Sequence, residues 1–150
     1  MSYIGKWVFH SVGEFGEEGI VYLNADEYLA SPMPYVDEND EDAVADEMKE
    51  RRRTVGMELR LLEDGKMYML MPMPEGVSNE EIKAAVDAGE IIVYDGMLTQ
   101  DPLAWEERDG GLWFNSGIEG EVFDEKVDGW AKALDENGFF NFMNFRFKKA

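Results

Sequence analysis

Apolar and polar residues alternate along much of this chain. Over residues 6–12, Trp7 and Phe9 fall on one face and Val8 and His10 on the other, the period-two signature of a strand. Residues 13–19 read as a glycine-rich loop and 20–23 as a second short strand. The clearest alternation follows from residue 57. Met57, Leu59 and Leu61 face one way and Glu58 and Arg60 the other. Glu63-Asp64-Gly65-Lys66 then makes a hairpin turn, and the chain returns through 67–71. Residues 91–94 form a further strand that Asp95-Gly96 turns away. A second hairpin folds about Asp109-Gly110-Gly111, and 121–129 is a short irregular connection. The last hairpin runs from 130–134, through Asp135-Glu136-Asn137-Gly138, into 139–150.

Two stretches break the alternation. Asn24 caps a short helical turn that Pro32 ends, and an acidic run then leads into Arg51, Arg52 and Arg53. Acids at the front and arginines at the rear suit a helix dipole, with Asn39 or Asp40 as cap. Few apolar residues (Ala43, Val44, Met48) support this helix, so it is expected to lie largely exposed or to be partly disordered. The second helix begins at Ser78, with Glu81 three residues on as a capping box requires. Ile82, Ala85 and Val86 form its narrow apolar stripe, and Gly89 stops it. The pattern predicts a mainly β fold, an antiparallel up-and-down barrel of eight or nine strands with two short helices. It is one domain over 1–150, carrying an acidic helical insertion at about 24–54.

Composition narrows the function classes. A net charge of −19 and a pI near 4.2 argue against nucleic acid and against anionic membrane surfaces. The same charge favours a basic protein partner along 37–48 as an alternative, adaptor-type role. No cysteine is present, which removes disulfides, thiol catalysis and thiolate zinc sites. The chain shows no basic-then-apolar leader and no apolar run near the roughly 18 residues of a span, so a cytoplasmic protein is expected.

Gly5-Lys6-Trp7 on the first strand, with Arg146 in the last, resembles the lipocalins and fatty-acid-binding proteins of the calycin group. The resemblance implies that Trp7 plugs one end of a barrel and that Arg146 packs across its indole. It implies a small apolar or amphipathic ligand inside. Three features depart from it, the first being the long acidic insertion at 24–54 between early strands. Phe145-Arg146-Phe147-Lys148 has no Tyr two residues after the arginine, and the helix at 78–88 interrupts the run of strands.

The candidate cavity wall is Phe9, Met57, Leu59, Met69, Trp105 and Phe142, with the acidic segment and the 78–88 helix as lids. Met67, Met69 and Met71 share one strand face. They read as core packing first, then as an adaptable apolar lining, and last as thioether ligands for Cu(I). A calcium loop starting at Asp37 fails, because its sixth residue is Asp42 and its twelfth Met48. His10 is the one histidine, and a general base would be either His10 or a carboxylate inside the barrel. No residue pattern names a reaction, and no metal, cofactor or catalytic residue is assigned. A homodimer would absorb some of the surplus aromatic residues.

Overall fold

Alternation becomes architecture in a curled antiparallel sheet. The computed structural model describes residues 3–116, 120–122 and 125–150. In chain order the elements are β1 (Gly5–Gly16), β2 (Gly19–Leu23), α1 (Ala25–Leu29), α2 (Glu41–Val55), β3 (Glu58–Leu61) and β4 (Lys66–Leu70). There follow α3 (Asn79–Asp87), β5 (Ile92–Tyr94), β6 (Met97–Thr99), β7 (Leu103–Arg108) and β8 (Gly111–Asn115). The chain ends with β9 (Gly120–Val122), β10 (Glu125–Val127), β11 (Trp130–Lys132), β12 (Phe140–Phe142) and β13 (Phe145–Lys149).

The main sheet runs β11-β8-β7-β4-β3-β1-β13-β12, and β2 pairs with the far half of β1. First and last strands are therefore neighbours. The two ends of the path touch through one bridge, Leu134 to Phe140, where the Asn141 amide donates to the Ala133 carbonyl at 2.7 Å. The β5–β6 and β9–β10 pairs stand as separate two-stranded ladders. No helix among the described residues is long and apolar enough to cross a membrane.

Several expectations change. Residues 13–16 continue β1 instead of forming a loop, and only Glu17-Glu18 separate the paired Gly16 and Gly19. The 24–54 segment carries two helices rather than one helix and a turn, so there are three helices among the described residues. The 121–129 connection contains β10 and part of β9, with 123–124 outside the described residues. The final stretch splits into β12 and β13 at Met143-Asn144, where Met143 takes a left-handed φ of 57°. Asp109-Gly110 and Asp95-Gly96 turn their hairpins with both residues at positive φ, the geometry that matches strand twist.

The sheet's inner face makes the core. Trp7, Leu59, Leu61, Met67, Leu112, Phe114, Phe140 and Phe147 are buried there. Trp7 meets Phe140 edge-on at 5.7 Å, and its Nε1 donates to the Tyr3 carbonyl at 3.0 Å. Arg146 does not cross Trp7. Phe147 lies opposite Phe9, so its sequence neighbour Arg146 projects from the other face of the sheet. There it lies over the Tyr22 ring at 3.6 Å and Phe139 at 5.8 Å. A bulge in β1 at His10 leaves that residue unpaired between Phe9 and Ser11.

Helix α2 is fastened by an arginine that the pattern assigned only to the helix dipole. Arg51 is 2% exposed. Its guanidinium donates to the carbonyls of Tyr28, Ser31 and Pro32 at 2.7–3.1 Å, and its Nε bonds Glu47 at 3.1 Å. Asp40 caps α2 by accepting from the Ala43 amide, and Asn24 and Glu27 close a reciprocal capping box on α1. Replacing Arg51 by Met is expected to cost about 3 kcal/mol, because several buried carbonyls lose their donor together. Arg51→Lys should lie between the two. Urea unfolding followed by far-UV circular dichroism measures both.

Candidate functional site

The sheet pairs weakly between β4 and β7, and a cavity lies beside that seam. Strands β4 and β7 pair only through Lys66–Ala104 and Met67–Leu103. The residue before Leu103 is Pro102, which has no amide hydrogen to extend the ladder. The carbonyl of Met69 finds another donor, the Thr99 hydroxyl at 2.7 Å. Two residues on, Met71 bridges to Leu98 through reciprocal 2.8 Å hydrogen bonds. The segment 98–102 thus stands in for a strand without closing the interior.

The space left has a volume of about 410 Å³. Met67, Met69, Met71, Leu103 and Phe142 form its apolar wall. Ile91, Leu98 and Thr99 also line it, and Arg53, Gln100 and Asp101 bring polar groups to the same cavity. Helix α2 delivers Arg53. Its Nε donates to the Pro72 carbonyl at 3.1 Å and Nη1 meets Glu50 at 3.7 Å. Gly56 allows this close approach, since a Cβ there would sit 2.5 Å from the Pro72 ring.

Of the residues expected to form a cavity wall, Met69 and Phe142 line this one. Met57, Leu59 and Trp105 belong to the packed core, and Trp105 donates from its indole to the Leu62 carbonyl at 2.9 Å. Phe9 is buried beside Phe145 at 6.4 Å. The polar contributors Arg53, Thr99, Gln100 and Asp101 were missed. Pro102, one residue from a strand start and near a methionine-rich strand in space, was the available signal. Of the two suggested lids, α2 contributes Arg53, while α3 has no buried residue and leads into Ile91.

A second polar cluster sits on the outer face around His10. Its ring stacks on Phe139 at 4.0 Å and its Nδ1 lies 3.0 Å from the Ser11 hydroxyl. Asp135 accepts from the amides of Asn137 and Phe139 and from Asn141 Nδ2, and lies 3.4 Å from Arg146 Nε. This carboxylate fixes the turn that brings β12 back to the end of β11. Among the described residues, no group of three or more His, Asp or Glu is placed to hold a metal ion.

Comparison with protein-family models, with curated proteins and with solved structures finds no match to this chain.

The outer cluster generates a pH dependence. Burial lowers the His10 pKa, and Lys148 and Arg146 lower it further, against Asp135. The unfolded chain therefore takes up the proton first as pH falls below the ordinary histidine value of 6.5, and stability declines there. Burial raises the Asp135 pKa, but the bonds from Asn141, Phe139 and Asn137 and the charge of Arg146 outweigh it and leave it lowered. Its contribution is present above the ordinary carboxylate range and lost as pH falls through it. Urea midpoints measured against pH should show two successive losses. His10→Phe, which keeps the ring stack, should remove the upper one, and Asp135→Asn should shrink the lower one.

Proposed function

We propose that this chain binds one small apolar or amphipathic molecule in the methionine-lined cavity, acting as a closed, lipocalin-like barrel in the cytoplasm. The observation that carries this reading is the cavity itself. Its 410 Å³ falls in the range of small-molecule sites, about 300–1,000 Å³. Its wall is built from thioether, aliphatic and aromatic groups with a few polar groups nearby, the composition such sites use. Methionine adapts to ligands of varied shape, so three methionines on one strand face suit a tolerant lining. The closed barrel is supported by the pairing of first and last strands and by the bridge from Leu134 to Phe140.

Fluorescence titration with the neutral probe N-phenyl-1-naphthylamine tests the reading. One probe should bind per chain, with a blue-shifted emission. Met69→Gln, which keeps side-chain length but makes the wall polar, should weaken binding at least tenfold, about 1.4 kcal/mol. Native mass spectrometry of the purified chain should in parallel show a stoichiometric extra mass that leaves on denaturation. A protein that takes up no probe and carries no extra mass overturns the proposal.

A further inference from the structure

The polar groups of the cavity select among amphipaths. Arg53 and Asp101 line the same space, yet they do not bridge each other within 4 Å. The Asp101 carboxylate has no hydrogen-bond or ion-pair partner among the described residues. Arg53 is held by Pro72 through Nε and by Glu50 through Nη1, which leaves Nη2 unpartnered among them. A held cation and an exposed, unpaired anion thus line one cavity without pairing with each other. The adjoining wall is apolar: Met69, Met71, Leu103 and Phe142.

We infer that the ligand is a zwitterionic amphipath, a molecule bearing a carboxylate and an ammonium beside an apolar group, as a hydrophobic α-amino acid or its derivative does. The carboxylate pairs with Arg53, whose planar donors suit it. The ammonium pairs with Asp101. The apolar group lies against the methionines. The charge of the whole chain favours this class over a simple carboxylic acid. At −19 the protein repels an approaching monoanion, whereas a zwitterion carries no net charge. The inference rests on the cavity being a binding site, and its test separates the two claims.

Isothermal titration calorimetry on the full chain compares four molecules of similar skeleton: L-phenylalanine, phenylpropanoate, phenethylamine and phenylpropanol. L-phenylalanine should bind at least tenfold more tightly than each of the other three. Arg53→Met should abolish its advantage over phenethylamine, and Asp101→Asn its advantage over phenylpropanoate. Both variants should keep the wild-type circular dichroism and melting temperature to within a few degrees. If phenylpropanol binds as tightly as L-phenylalanine, the assignment of the head group is overturned and the apolar cavity stands. If phenylpropanoate or phenethylamine binds best, a singly charged ligand replaces the zwitterion. If none of the four binds and the naphthylamine probe also fails, the cavity reading falls and the inference with it. If none binds while that probe does, only the inference falls.

Discussion

Strand β1 is the constraint on which the rest of the molecule hangs. It pairs with β3 through residues 5–8, with β13 through residues 7–12 and with β2 through residues 12–16. One strand thereby joins the beginning, the middle and the end of the chain. Its inward residues Trp7 and Phe9 set which residues of β3 and β13 face the core, because directly paired residues share a face. The bulge at His10 is needed to keep both requirements. It absorbs one residue, so that Ser11 meets Arg146 outside and Val12 meets Phe145 inside. The aromatic contacts of Trp7 to Phe140, and of Phe114 to Phe140 and Phe142, then follow from register.

The cavity is the complement of that order. Where strands pair fully, the interior is filled by Leu59, Leu61, Phe140 and Phe147, all at 0% exposure. Where β4 and β7 part company, side chains can no longer interdigitate from both sides, and a space remains. Sheet edges are costly unless their carbonyls are satisfied. Thr99 and Leu98 supply the missing bonds and themselves line the space. The open region is thus a stable feature of the backbone, and its chemistry comes from the segment that patches the seam.

The sequence made the strands and caps legible to different degrees. The 57–71 hairpin follows from alternation with its Glu63–Lys66 turn, Ser78 follows from capping chemistry, and Asp40 is the one the structure uses of the two caps, Asn39 or Asp40, that the pattern left open. The split at Met143-Asn144 was hidden, since Met is a rare choice for a left-handed turn and carries no local signal. Parity decided the pairing of Trp7 with Arg146. Both lie in the expected strands, but Arg146 follows Phe145 and precedes Phe147, and only one set of alternate residues faces inward. Both faces of the last strand are apolar, so alternation left the side of Phe142 open, whereas in the cavity Met69 could be read from its strand face. Arg53, Gln100 and Asp101 could not, because they arrive from a helix end and an irregular segment brought close only by tertiary contacts.

Arg51 has a consequence for motion. Its guanidinium joins α2 to carbonyls about twenty residues earlier in the chain, in a stretch with few side chains of its own to bury. Neither part can loosen alone without stripping donors from the other. The two therefore behave as one cooperative unit whose amide protons exchange together. The rear half of α2 is tied to the 28–32 segment by this coupling. A surface segment with few buried apolar residues is in this way kept from fraying by a single buried cation.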